Sequence, residues 1–116
     1  MKNIIIIGMP GAGKSTMGVV LAKTLGRNFI DTDIVIQEHA RKLLQEIIDA
    51  EGPEAFLAIE EKTILSLHCR NAVIATGGSV VFSEKAMEHL KVRGVVIYLK
   101  ISGIVRMPGR VPPAIG

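Results

Sequence analysis

The stretch Gly8-Met9-Pro10-Gly11-Ala12-Gly13-Lys14-Ser15 decides the fold of this chain. It matches the pattern G-x-x-x-x-G-K-[S/T] at every fixed position, and it stands between a run of four isoleucines and a helical pattern. Glycines in such a loop let the backbone wrap closely around phosphate oxygens, and the start of the following helix adds partial positive charge. The stretch therefore predicts a phosphate-binding loop between a strand and a helix.

This loop has the composition of a site for a nucleoside triphosphate with magnesium. We expect Lys14 to reach the β and γ phosphates, Ser15 to ligate Mg²⁺ through its hydroxyl, and Thr16 to contact the α phosphate. The expected nucleotide-binding residues are Gly8, Gly11, Ala12, Gly13, Lys14, Ser15 and Thr16. The sequence lacks the guanine-binding pattern N-K-x-D, which favours ATP over GTP.

Strand and helix patterns alternate along the first 100 residues. Apolar runs bounded by turn residues predict strands at 4–7, 28–30, 72–75 and 95–99. Helical periodicity with start and stop signals predicts helices at 14–25, at 34–50 in two pieces, at 53–68 and at 83–93. The alternation predicts an α/β domain with a parallel sheet and right-handed crossovers.

Two of these helices carry predictions about which face is buried. In the helix at 14–25, apolar side chains are expected to line one face, namely Val19, Val20, Ala22 and Leu25. In the helix at 53–68, charged side chains are expected on the wetter side, namely Glu54, Glu60, Glu61 and Lys62.

The regular pattern is expected to stop after Lys100. Residues 101–116 contain three prolines and three glycines, which predicts an irregular tail or a shortened lid outside a domain at 1–100. Without a further strand, the strand at 95–99 would form an edge of the sheet. The chain is therefore expected to be a monomer, or a dimer that forms through this edge.

Composition narrows the class of partner. The net charge is +3, but the basic residues form no run, and only 3% of the residues are aromatic. A nucleic-acid partner is therefore not expected, because such proteins need a basic stripe or exposed stacking rings. No segment is long enough to span a membrane, and the apolar run before Gly8 is too short for a signal peptide. The single cysteine, Cys69, is typical of a cytoplasmic protein.

Two short motifs are expected at the same end of the sheet as the loop. Asp31-Thr32-Asp33 follows the second strand, where one carboxylate could hold magnesium and the other could accept a proton from a hydroxyl group. An Asx-turn that caps the next helix explains the same residues equally well. Thr76-Gly77-Gly78 follows the third strand, either as a surface that a small polar ligand can approach or as a plain turn.

Taken together, these motifs resemble the shikimate kinase family. The matching pieces are GMPGAGKST at 8–16, FIDTD at 29–33, Gly52 with Phe56 and Glu60, VIATGGSVV at 73–81 and GVVIYL at 94–99. The resemblance implies a three-layer P-loop fold of the nucleoside monophosphate kinase type. It also implies transfer of the γ-phosphate of MgATP to a hydroxyl of shikimate, a step of aromatic amino acid biosynthesis.

The resemblance also implies roles for individual residues. Asp33 would bind the shikimate hydroxyls and act as the base, so that Lys14 and Asp33 are the expected catalytic residues. Gly77 and Gly78 would line the shikimate pocket, and Glu60 would belong to the substrate-binding subdomain. Ser15 and Asp31 would hold the magnesium.

The sequence departs from the family pattern at three places. Leu57 stands where the family has an arginine that pairs with the substrate carboxylate, and Ser79 stands where the family usually has a third glycine. The resemblance ends near residue 100, so the C-terminal part of the family fold is expected to be missing or shortened. Arg106 and Arg110 are the candidates for a lid arginine. Two alternatives stay open, a kinase for a different hydroxylated metabolite and a nucleotide-binding module without catalysis.

Overall fold

The computed structural model describes residues 2–8, 13–100 and 103–106, with side chains to residue 99. The strands are β1 (Asn3–Gly8), β2 (Asn28–Asp31), β3 (Ala72–Gly77), β4 (Gly94–Lys100) and β5 (Gly103–Arg106). The helices are α1 (Lys14–Leu25), α2 (Thr32–Ala40), α3 (Leu44–Glu51), α4 (Pro53–Leu65) and α5 (Glu84–Arg93), and a 3-10 helix spans Gly78–Phe82.

The five strands form one sheet in the order β2-β3-β1-β4-β5. The first four are parallel, and β5 pairs antiparallel with β4. Consequently β1 lies in the middle of the sheet, which agrees with its uninterrupted run of isoleucines, since a central parallel strand is buried on both faces. The predicted α/β domain with a parallel sheet is confirmed.

Alternate residues of β1 face different helices and so create three layers. Ile5 and Ile7 are fully buried in a core cluster with Ile64 of α4 and Leu90 of α5. On the other face, the buried Ile6 belongs to a cluster with side chains from α1. A third cluster joins α2, α3 and α4 through Ile36, Ile47 and Phe56. This smaller unit holds α4 beside the ends of the strands.

Asn3, at the start of β1, is a buried polar residue that is 2% exposed. Its side-chain Nδ2 donates to the carbonyl oxygen of Cys69 at 2.9 Å, and its Oδ1 accepts from the backbone nitrogen of Ala72 at 2.9 Å. Both ends of the amide are therefore satisfied, as burial requires. The side chain ties β1 to the chain just before β3 and stabilises their register.

The chain after Lys100 differs from the sequence prediction. The expected irregular tail is wrong for Gly103–Arg106, because these residues form β5. The pairing runs from Ile97 opposite Arg106 to Lys100 opposite Gly103, so β4 is not a free edge over that length. The adjacent β-branched residues Ile104 and Val105 favour a strand even in a short segment. Residues 107–116, and with them Arg110, lie outside the described residues, as does the Arg106 side chain.

The predicted buried face of α1 is also wrong at three of its four positions. Ala22 is buried as expected, but Val19, Val20 and Leu25 are 49%, 59% and 47% exposed. The helix instead buries Gly18, where an added Cβ would collide with the ring of Phe29. The absence of a side chain at this position lets the helix pack closely against β2, and this rotates the valines outward.

The predicted end of α1 is confirmed. Gly26 has φ 66°, and its backbone nitrogen caps the last turn through the carbonyl oxygens of Ala22 and Lys23. Within the described ranges, no helix has the length and apolar character needed to cross a membrane.

Candidate active site

The site lies where three parallel strands end side by side. In the register of the sheet, Gly8 at the end of β1 is opposite Gly77 at the end of β3, and Asp31 at the end of β2 is opposite Ala75. This is the edge at which open α/β sheets bind ligands. The predicted nucleotide residues Gly11 and Ala12 lie outside the described residues, whereas Gly8 and residues 13–16 lie within them.

Gly8 and Lys14 are in close contact. A Cβ placed on Gly8 would lie 2.6, 2.7 and 2.9 Å from Cβ, Cδ and Cγ of Lys14. The lysine side chain therefore crosses directly over the end of β1, through space that any other residue at position 8 would fill. Gly13 precedes α1 with φ 79°, a left-handed conformation that favours glycine. Together the two glycines fix where the lysine leaves the helix.

Asp31 uses its two carboxylate oxygens for different purposes. Oδ1 accepts from the backbone nitrogens of Asp33 at 2.9 Å and Ile34 at 3.4 Å, and so caps α2. Oδ2 accepts from the hydroxyl of Ser15 at 3.2 Å. The cap and the predicted metal role, which the sequence presented as alternatives, are therefore geometrically compatible. Thr16, in the first turn of α1, is exposed.

The two predicted catalytic residues are in contact. The ammonium Nζ of Lys14 lies 3.3 Å from Oδ2 of Asp33, and the two side chains are 16% and 23% exposed. A partly exposed ion pair contributes little to stability. This pair matters because it places the two predicted catalytic residues next to each other. It joins the residue expected at the γ phosphate to the residue expected at the acceptor hydroxyl.

Gly77 and Gly78 form the floor between these groups. A Cβ on Gly77 would lie 3.7 Å from Oδ1 of Asp33 and 3.6 Å from Oε2 of Glu60. A Cβ on Gly78 would lie 3.5 Å from the carbonyl oxygen of Gly8. The predicted turn begins later than expected, because β3 continues through Gly77 and the 3-10 helix follows at once.

Glu60 is buried, and its prediction as a residue of the wetter side of α4 is wrong. Its side chain is 2% exposed, and Oε1 accepts from the hydroxyl of Ser79 at 2.9 Å. The spacing contained the signal for this placement. The buried residues Phe56, Glu60 and Ile64 recur at intervals of four and therefore share one face of the helix.

Burial raises the pKa of Glu60 from 4.5 to about 7. The hydrogen bond from Ser79 works against this rise, the negative charge of Asp33 adds to it, and the positive charge of Lys14 opposes it. The site therefore contains one carboxyl group that changes its charge near neutral pH. Glu60 and Ser79 were each named from the sequence, but no sequence pattern indicated that they are paired.

The oxygen donors suit a hard cation. Ser15 offers a hydroxyl and Asp31 a carboxylate, a combination that Mg²⁺ accepts while it keeps most of its water ligands. In the described part of the chain, no group of three or more histidine, cysteine or acidic residues could form a metal cage.

Comparison with known proteins finds relatives in one family. A family model described as shikimate kinase matches residues 10–107. The shikimate kinase of Legionella pneumophila (strain Corby) is 48% identical over 103 residues, which cover 88% of this chain and 59% of that protein. The shikimate kinase of Actinobacillus succinogenes is 43% identical over 100 residues, with 85% and 57% covered. The chain thus spans less than two thirds of the length of these relatives.

A solved structure supports the fold. Shikimate kinase from Acinetobacter baumannii, determined in complex with shikimate, superposes with a TM-score of 0.80 at 39% sequence identity. The match covers 85% of this chain and 56% of that protein. The predicted P-loop fold of the nucleoside monophosphate kinase type is confirmed by this likeness.

Proposed function

The chain belongs to the shikimate kinase family, and on that premise we propose that it binds MgATP and transfers the γ-phosphoryl group to a hydroxyl of shikimate. The observation that carries the proposal is the contact of 3.3 Å between Lys14 and Asp33. One of these residues belongs to the phosphate-binding loop and the other to the acidic motif at the end of β2. Phosphoryl transfer requires the γ phosphate of the donor and the hydroxyl of the acceptor to lie next to each other, and these two residues would hold them there.

The nucleotide would be held by the start of α1 and the loop before it. Backbone amides around Gly13 and Lys14 would bind phosphate oxygens, aided by the positive end of the helix. Ser15 and Asp31 would hold Mg²⁺, directly or through water. The bound metal would neutralise phosphate charge during transfer. The donor set fits, because Oδ2 of Asp31 and the Ser15 hydroxyl lie 3.2 Å apart on the open side of the site.

Asp33 would accept the proton of the attacking hydroxyl, and Lys14 would neutralise charge that develops on the transferred group. The contact between the two side chains orients both toward the same point. Gly77 and Gly78 would let the acceptor approach the backbone closely, because a side chain at either position would occupy that space. Catalysis would then depend mainly on position and electrostatics, as in other phosphoryl transfers.

We propose a cytoplasmic location, because the relatives are bacterial shikimate kinases, which act on a small metabolite. The free cysteine Cys69 agrees with this proposal, since disulfides are rare in a reducing compartment. Shikimate as the acceptor is supported by the family and by the complex of the Acinetobacter baumannii enzyme with shikimate.

The decisive experiment is ADP release by the chain in MgATP, with and without shikimate. Release that depends on shikimate and disappears in Lys14→Ala is the expected result. Binding of nucleotide without stimulation by shikimate would contradict the proposal. A panel of other hydroxylated metabolites would then separate a different acceptor from a module without catalysis. Leu57→Arg sharpens the comparison, because an improved KM for shikimate indicates a pocket built around the acceptor carboxylate.

A further inference from the structure

The carboxyl group of Glu60 is only half satisfied. Among the described residues, the buried side-chain polar atoms that lack a hydrogen-bond partner are Oε2 of Glu60 and Oγ1 of Thr32. The other oxygen of Glu60 is fixed by the Ser79 hydroxyl at 2.9 Å. A buried carboxyl oxygen without a hydrogen-bond partner is unfavourable. Its position at the edge of the site suggests that a bound acceptor supplies the missing partner or contact.

The unpartnered oxygen faces the proposed acceptor site. Oε2 lies 3.6 Å from the point where a Cβ of Gly77 would stand, and the two carboxylate oxygens of Asp33 lie 3.7 and 3.9 Å from the same point. Two carboxyl groups from different helices therefore border one small space. A side chain at residue 77 would begin in that space, at ordinary contact distance from both carboxyl groups.

Few charges act on Glu60 within the described part of the chain. They are Asp33 at the start of α2 and Lys14 at the start of α1, with Ser79 of the 3-10 helix as the hydrogen-bond donor. Leu57, one turn earlier on α4, is apolar and half-buried and supplies no charge. Further along α4, Glu61 is paired with Ser83 at 2.6 Å. Burial, the largest effect, brings the pKa of Glu60 to about 7.

We propose that Ser79 is a positioning residue for acceptor binding: its hydroxyl holds one oxygen of Glu60 and aims the other at the space above Gly77, where the proton on Glu60 controls the affinity for an anionic acceptor. The proposal rests on the proposed function. Among the described residues, protonated Glu60 leaves Asp33 as the one negative charge beside that space. Ionised Glu60 adds a second, which repels an acceptor that carries a carboxylate.

The first test follows the charge of Glu60 without any need for activity. Carboxyl ¹³C shifts of the full chain labelled at glutamate are recorded as a function of pH in the wild type, Ser79→Ala, Ser79→Thr and Ser66→Ala. Glu60→Gln identifies the signal. Ser66 is the matched control, since it is an exposed serine at the end of α4 that donates to the carbonyl oxygen of Thr63.

We expect the midpoint near pH 7 in the wild type and in Ser66→Ala. Ser79→Ala should raise it by about one pH unit, because a hydrogen bond that favours the ionised form is lost. Ser79→Thr, which keeps the hydroxyl, should restore the wild-type midpoint. Equal midpoints in all four proteins would overturn the positioning role.

The second test measures KM for shikimate from pH 5.5 to 8.5 in the same proteins. KM should rise several-fold as Glu60 ionises, and the rise should move to higher pH in Ser79→Ala but not in Ser66→Ala. In Glu60→Gln the rise should disappear while kcat changes less. A KM profile that is identical in wild type and Glu60→Gln would overturn the role in acceptor binding.

The two tests separate this inference from the proposed function. If shikimate is not phosphorylated, the proposed function fails, and the carboxyl titration still decides whether Ser79 positions Glu60. If shikimate is phosphorylated but the carboxyl titration and the KM profile are the same in wild type and Ser79→Ala, the proposed function stands and this inference fails.

Discussion

The two sides of the site were accessible to sequence reasoning to very different degrees. The nucleotide side comes from one contiguous stretch, in which Gly8, Gly13, Lys14 and Ser15 follow a fixed spacing. The acceptor side is assembled from α2, α4 and the 3-10 helix, whose residues are far apart in the sequence. A local pattern predicts a local structure, whereas a convergent site depends on packing that no short pattern records.

The largest expected effect is on the nucleotide side. Lys14→Ala removes the side-chain charge that we place at the γ phosphate and also the partner of Asp33. We expect kcat to fall by about 10²–10³-fold or more, in line with the loss of other preorganised electrostatic groups. Steady-state ADP release measures this change. Near-normal turnover in a folded variant would show that Lys14 does not act between the nucleotide and the acceptor.

A second prediction concerns the close packing of Gly8 against Lys14 on the nucleotide side. Gly8→Ala places a methyl group within 2.6–2.9 Å of three Lys14 side-chain carbons, so the lysine must move. We expect stability to fall by about 1–3 kcal/mol, as for other overpacked sites, together with a clear loss of MgATP affinity. Thermal unfolding and nucleotide titration measure the two effects.

Gly78→Ala is the matched control for this change. Its Cβ would lie 3.5 Å from the carbonyl oxygen of Gly8, an ordinary contact. Nucleotide affinity should therefore stay near the wild-type value. Equal losses in both variants would mean that the backbone of the site, rather than the lysine, is sensitive to any added side chain.

A third prediction concerns stability on the acceptor side. Since the pKa of Glu60 is raised from 4.5 to about 7, the folded state binds more protons than the unfolded state between these values. Stability that depends on Glu60 should therefore fall as pH rises from about 4.5 to about 7, by at most about 3 kcal/mol. Below pH 4.5 this penalty is absent, and above pH 7 it is complete.

Glu60→Gln should abolish this dependence, because the amide does not ionise. Urea unfolding of both proteins at pH 5 and pH 8 gives the measurement. The free energy of unfolding of Glu60→Gln minus that of the wild type should be larger at pH 8 than at pH 5. A difference between the two proteins that is the same at both pH values would contradict the assigned pKa.

The smallest expected effect tests the outer face of α1, behind the nucleotide side. Val20 is 59% exposed, so Val20→Lys should change stability by no more than about 0.5 kcal/mol. Ala22→Lys, two positions later but 3% exposed, should destabilise strongly because it buries a charge. Similar effects of both substitutions in denaturant unfolding would show that the outer face is covered in solution.

Much of the fold followed from the sequence because local signals agreed. The isoleucines of β1, the start of α1 at Lys14 and its end at Gly26 each have one dominant physical cause. The errors arose where tertiary contacts override local pattern. Phe29 fits against Gly18 and turns the valines of α1 outward. At Gly103–Arg106, the strand preference of two adjacent β-branched residues was outweighed by the prolines and glycines around them.

The site shows the same division. Lys14, Ser15, Asp31 and Asp33 were named from motifs, and the structure brings them within 3.3 Å of one another in pairs. Their chemical roles stay predictions. The pairing of Glu60 with Ser79 could not be derived from either residue alone, since it requires α4 to pack against the 3-10 helix.

The central position of β1 in the sheet has a consequence for the ribosome. During synthesis, Asn3 cannot bond to Ala72 until 69 further residues have been added. Likewise, β1 has no neighbouring strand until β3 has been made. At ordinary rates of translation, this interval is roughly 4 to 15 seconds. For that time β1, with its run of four isoleucines, is part of a nascent chain that lacks both of its strand partners. Exposed apolar segments of incomplete chains are prone to aggregate, so this topology places that risk before β3 has been made.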